Sequence, residues 1–184
     1  MKNRAESVLL WGSNIWYFGE GLFGPLFAIF AEKIGGNILD ISWAWALYLF
    51  IAGISKVIIG KISDGPARKE RLMVCGYALN ALCTFGYLLV QTPHHLFLVQ
   101  IGLGLAAALA TPTWEALYAI HQSRKKAGIT WGLAGGEANI VSAVAIVVGS
   151  YIVEAHSFGA LFFIMGMIQV IATVYQARIF FLKR

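Results

Sequence analysis

Apolar and polar positions fall along this chain in long blocks. Six apolar stretches lie near 8–31, 39–61, 70–91, 95–121, 128–153 and 157–181, separated by short polar links. Each is close to or above the roughly 20 residues a helix needs to cross a bilayer core. Buried core helices of a soluble protein are the alternative, and six consecutive stretches of this length speak against them. The pattern predicts an all-α integral membrane protein with six transmembrane helices in one domain, 1–184, and the short links leave no soluble domain between them. The stretches form two nearly equal triplets, residues 1–91 and 92–184. Three crossings is an odd number, so the second triplet is inverted relative to the first, an arrangement that recurs in secondary transporters.

Composition agrees with a lipid environment. Of 184 residues, 59% are apolar and only 12% are charged, where a soluble domain carries about 25% charged residues. That excludes most soluble enzyme and binding folds. Twenty Gly against four Pro fit closely packed helices. A net charge of +5 could suggest nucleic acid, but the positions of the charges decide otherwise. With the N-terminus in the cytoplasm, twelve of the fourteen Lys and Arg fall inside, Lys33 falls outside and Lys56 lies within a span. The positive-inside rule therefore places both termini in the cytoplasm of a multi-pass cell-membrane protein, with lipid as its surroundings and no nucleic-acid partner. The basic start Met1-Lys2-Asn3-Arg4 leads into a run too long and aromatic for a signal segment, with no small-residue cleavage site after it, so it reads as a retained span. Cys75 and Cys83 are eight apart on one span, roughly 12 Å along a helix and too far for a disulfide. No metal-ligand spacing occurs, and nothing calls for a cofactor.

Ionisable residues within spans carry the functional signal. Glu20, Lys56, Glu115 and Glu137 each cost on the order of 2.5–3.5 kcal/mol at the bilayer centre, so they are expected to face protein or water. A structural ion pair that locks helices together is the alternative for each. In span one, Ser13, Tyr17, Glu20 and Gly24 follow a four-three-four spacing that puts them on one helical face, and Asn14 and Gly21 widen this stripe. A carboxylate beside a hydroxyl, a phenol and small residues can hold a proton or a cationic group. Span four repeats the spacing with Thr111, Glu115, Tyr118 and Gln122, and Pro112 is expected to loosen that helix and free a carbonyl. Trp114 is compatible with stacking on a substrate and equally with packing.

The remaining faces are richer in small residues. In span five, Gly132, Gly135, Asn139, Ser142 and Gly149 share a face, Gly132 and Gly136 form a GxxxG pair, and close helix approach explains them most simply. Glu137 lies about 200° around the helix from Asn139 and points elsewhere, towards a second helix or a subunit contact. In span two, Ala46, Gly53, Lys56 and Gly60 share a face. Lys56 most simply pairs with a buried carboxylate, with substrate binding or coupling as the alternative.

Between spans two and three runs Gly60-Lys61-Ile62-Ser63-Asp64-Gly65-Pro66-Ala67-Arg68-Lys69. It resembles the G-x-x-x-D-R-x-G-R-[RK] signature in the same cytoplasmic link of the major facilitator superfamily. Gly60, Asp64, Arg68 and Lys69 match in register, while Gly65 and Ala67 replace an Arg and a Gly. Gly102-Leu103-Gly104, Pro112 and Glu115-Ala116-Leu117-Tyr118 are similar to the family's fourth helix, with Gln100 where the family often has Arg. Ala145–Ser150 is similar to its antiporter segment without the Gly-Pro pair, and His156-Ser157-Phe158-Gly159 to the start of its sixth helix. The resemblance covers essentially the whole chain. It implies that spans one and four line a central cavity, and that Asp64 and Arg68 form a charged latch between the halves of a transporter. The family normally has twelve helices in two bundles, and this chain matches the first bundle.

The resulting expectation is a secondary transporter half that moves a small solute, with proton coupling. Glu20 is the first expected proton or cation site, Glu115 the second, and Asn14, Tyr17, Trp114, Tyr118, Glu137 and Lys56 complete the candidate binding residues. Protonation would neutralise the carboxylate and permit rocking between inward-open and outward-open states. Six crossings is an even number, so two copies insert in the same orientation, and a homodimer through the small faces of spans two and five, or pairing with a second six-helix half, is coherent. The alternatives are a non-transporting assembly or receptor subunit, or an inactive fragment of a split twelve-helix transporter. An enzyme is disfavoured, since no nucleophile elbow, paired His motif or metal cluster occurs.

Overall fold

The computed structural model describes residues 4–64, 69–122 and 127–182. Among them are seven α-helices and no strand: α1 (Arg4–Gly21), α2 (Leu26–Lys33), α3 (Ile38–Asp64), α4 (Lys69–Gly86), α5 (Pro93–His121), α6 (Ala127–Ala155) and α7 (Phe158–Ala177). Short 3-10 turns extend α4 through Leu89 and α7 to Phe181. Five of these segments (α3 to α7, with the extensions) are long and apolar enough to cross a membrane.

The first apolar stretch departs from the expected single span. It is two helices, of 18 and 8 residues, separated at Leu22–Pro25. Pro25 has no N–H to offer the Gly21 carbonyl one turn earlier, and its ring crowds that turn. The chain instead closes the turn through Leu22 N–H to Phe18 O and Phe23 N–H to Glu20 O, both 3.3 Å, and restarts with Phe27 N–H to Phe23 O at 3.1 Å. Arg4, Glu6 and Glu20 lower the hydropathy of α1, so neither piece alone is long and apolar enough to span. Pro112, by contrast, leaves α5 continuous from Pro93 to His121. In the turn that contains Pro112, the Thr113 hydroxyl donates to the Leu109 and Ala110 carbonyls.

Packing is uneven. α5 lies against α3 and α4, α7 against α4 and α1, and α6 chiefly against α1. Aromatic rings fill the end built from α2, the close of α4 and the start of α7: Phe23 meets Phe162 edge-on at 5.1 Å, and Tyr87 stacks on Phe162 at 5.0 Å. The opposite end packs Leu9, Met73, Tyr77, Tyr118 and Ala172. α3 buries only Ala44, Ala52 and Ser63, and α6 only Ala145 and Gly149. Their outward faces carry Phe50, Val57 and Ile58, and Ile140, Val147 and Tyr151.

Small residues on α6 divide into two groups. Gly149 is pressed against the Leu22 carbonyl, so close that a Cβ there would overlap it. A Cβ on Gly21 would lie 3.0 Å from the Ser142 backbone. These contacts seat the α1–α2 break. A Cβ on Gly132, Gly135 or Gly136 would meet nothing within 4 Å, so the GxxxG pair presents open space among the described residues.

Candidate functional site

Between the two apolar ends lies a cavity of about 380 Å³. α1 supplies Ser13, Trp16, Tyr17 and Glu20, and α3 supplies Tyr48 and Lys56. α4 adds Tyr77 and Asn80, and α5 adds Thr111, Trp114 and Glu115. The three- and four-residue spacing in α1 and α5 turns these side chains to one side, because a helix repeats every 3.6 residues. Three charged side chains, Glu20, Lys56 and Glu115, from three helices thus share one space bounded by aromatic rings.

Glu20 sits at the last turn of α1, immediately before the break. Its Oε1 accepts two amide N–H bonds, from Asn80 Nδ2 on α4 at 2.8 Å and from Gln169 Nε2 on α7 at 2.9 Å. Glu20 also borders a second cavity of about 170 Å³, on the α2 side, lined by Gly24, Thr84, Tyr87 and Gln100 among others. Glu20, Tyr48 and Leu103 belong to both walls. Glu115 lines the larger cavity and makes no hydrogen bond or ion pair among the described residues. Lys56, expected to pair with a buried carboxylate, is in the same wall and has no ion-pair partner among the described residues.

Other candidates lie elsewhere. Asn14 belongs to neither wall: its Nδ2 donates to Glu137 Oε2 on α6 at 2.8 Å. Glu137 therefore faces α1, away from the cavity. Tyr118 is fully buried, donates its hydroxyl to Thr130 O at 3.1 Å, and stacks on Trp114 at 4.8 Å. Trp114 reaches the cavity edge while its Nε1 donates to Leu9 O at 3.0 Å, which fixes the ring. In the link after α3, Asp64 Oδ1 lies 3.7 Å from Lys69 Nζ, and Lys69 also donates to the Ser63 carbonyl. Gly60 lies on the last turns of α3, and Arg68 is outside the described residues.

Sequence reading by charge missed Asn80, Gln169 and Gln176, which are uncharged. Tyr77, Asn80 and Thr84 on α4, and Gln169, Thr173 and Gln176 on α7, keep the same three- and four-residue spacing, and that periodicity was the available signal. Gln169 and Gln176 are completely buried. Gln169 Nε2 also donates to Trp16 O at 3.2 Å, and Gln176 Nε2 to Met73 Sδ at 3.3 Å.

Comparison with known proteins gives a consistent picture. The family model described as the Major Facilitator Superfamily matches residues 9–184. An uncharacterised MFS-type transporter of Methanocaldococcus jannaschii is 21% identical over 156 residues, covering 85% of this chain and 40% of that protein. Multidrug resistance protein MdtG of Klebsiella pneumoniae is 19% identical over 162 residues, covering 85% of this chain and 39% of that protein. The chain thus spans about two fifths of the length of these curated relatives.

Proposed function

The chain belongs to the major facilitator superfamily, and from that premise we propose that it is the six-crossing half of a secondary transporter that moves a small solute coupled to protons. Membership places it among transporters and not among enzymes. In this reading α1 and α2 together make the first crossing, and residues 1–91 and 92–184 are inverted three-helix repeats. The single observation that carries the reading is the convergence of Glu20, Glu115 and Lys56 on one aromatic-lined cavity bordered by α1, α3, α4 and α5.

The rest follows from membrane physics. Charged groups at this depth are costly unless they meet water, solute or one another. A carboxylate there does its work by changing charge: neutral Glu20 lets the bundle rock, and ionised Glu20 holds it open to one side. The second bundle, a partner copy or a separate half, lies on the uncovered faces of α3 and α6. Both termini lie on the cytoplasmic side of the cell membrane, and Asp64, with Gly60 and Lys69, belongs to a latch on that side. Trp16, Tyr17, Tyr48 and Trp114 supply an amphipathic wall for an organic solute.

Glu20→Gln tests this directly. The amide keeps the size and loses the titratable charge, so gradient-driven flux in proteoliposomes falls at least tenfold while the protein still inserts. Undiminished flux in that variant removes Glu20 from the mechanism.

A further inference from the structure

The two oxygens of Glu20 have different surroundings. Oε1 accepts from both Asn80 and Gln169, whereas Oε2 takes no hydrogen bond among the described residues. The donors come from α4 and α7, so the carboxylate is gripped from two helices other than its own. Both are buried: Asn80 is 2% exposed and Gln169 fully enclosed. The Gln169 amide cannot be turned around without loss, because the same Nε2 donates to the Trp16 carbonyl, which only a donor can satisfy.

The room for this grip is provided by α1 itself. At Gly19, a Cβ would come within 2.6 Å of Gln169 Nε2. Any larger residue there drives the amide away from Glu20. Seven residues earlier, Gly12 makes the same space for Gln176. α1 thus presents two glycines, one heptad apart, to two buried glutamines of α7 that are also seven apart.

We propose that Asn80 and Gln169 are positioning residues that hold Glu20 Oε1 as a permanently liganded oxygen and leave Oε2 as the one atom that exchanges a proton with water in the cavity. This rests on the reading of Glu20 as the coupling carboxylate. The step is simple: a hydronium ion carried in the cavity water gives its proton to Oε2 and is left as water, the negative charge is lost, and the reverse transfer restores both. Groups that face Glu20 around this exchange are Tyr17 on α1, Tyr48 and Lys56 on α3, Tyr77 on α4, Tyr87 after α4, and Glu115 on α5. Because Oε1 is anchored to α4 and α7, each change at Oε2 alters the strength of two contacts between helices. Neutral carboxyl oxygens accept more weakly than ionised ones, so the grip slackens when the proton arrives.

Infrared difference spectroscopy of the protein in lipid tests the proposal. Bands that vanish in Glu20→Gln belong to Glu20, both the carboxylate and the acid form. Asn80→Leu and Gln169→Met each remove a donor at nearly constant volume, and the Glu20 acid carbonyl band is expected to move to higher frequency in both. Gly19→Ala removes no polar group, yet it displaces the Gln169 amide and is expected to move the band the same way. Glu20 bands at wild-type frequency in all three variants overturn the positioning role. A Glu20 acid band that never forms at any accessible pH, with carboxylate bands still shifted in the variants, overturns the proton-site reading and Oε2 exchange but leaves the two-donor grip standing.

Discussion

Asn14 on α1 and Glu137 on α6 meet through a 2.8 Å hydrogen bond, the amide nitrogen donating to Oε2, across 123 residues of sequence. The other Asn14 atom, Oδ1, is buried without a partner. The pair therefore pins α1 to α6, and removing the acceptor leaves the whole amide unsatisfied. Glu137→Leu is expected to destabilise by about 1–3 kcal/mol, the cost of an orphaned buried polar group. Glu137→Gln keeps an acceptor oxygen and loses less. Thermal unfolding in mild detergent separates the two, and equal midpoints for both variants and wild type would remove the pin.

Gly149 and Gly132, both on α6, have different surroundings. Gly149 abuts the Leu22 carbonyl and Gly132 has open space. Gly149→Val is expected to cost about 1–3 kcal/mol through overpacking against backbone that cannot yield, whereas Gly132→Val leaves the isolated chain unchanged. Unfolding midpoints check both. A partner bundle seated on α6 would reverse the second result in the assembled state.

Lys56 and Glu115 line the cavity without an ion pair between them or with Glu20 among the described residues. Lys56→Gln and Glu115→Gln are therefore expected to leave stability within about 0.5 kcal/mol, as for substitutions outside packed networks. Their effect appears in solute affinity, measured by flux against solute concentration. A large loss of thermal stability in either variant would mean a structural role instead.

Topology is tested by labelling. In a background without Cys75 and Cys83, cysteine at Asn37 or His156 is expected to react with a membrane-impermeant maleimide in right-side-out vesicles. Cysteine at Asp64 is expected to react only after permeabilisation. The links after α2 and α6 lie on one side and the link after α3 on the other, so the reverse pattern inverts the orientation drawn from the basic residues.

Native mass spectrometry from nanodiscs addresses assembly. A dominant dimer supports two copies meeting through α3 and α6, and Gly53→Trp on the open α3 face is expected to weaken it. A clean monomer turns the search to a second half.

The sequence alone determined the helical class, the apolar segments and the residues that turn to one side, because a 3.6-residue period and a bilayer-sized apolar length are local properties. Tyr17 with Glu20 and Thr111 with Glu115 were legible for that reason. Tertiary structure decided which side each face meets. Tyr118 keeps the spacing of Glu115 but is taken into packing by Thr130 and Trp131, and Asn14 leaves the stripe of Glu20 for Glu137. Pro25 was not read as a break in the first stretch, because what a proline does within an apolar run depends on what can seat the broken turn, here Gly149 far along the chain. The two donors on Glu20 lie 60 and 149 residues away. No local period encodes such a meeting, which arises when helices pack and each buried amide must find a partner.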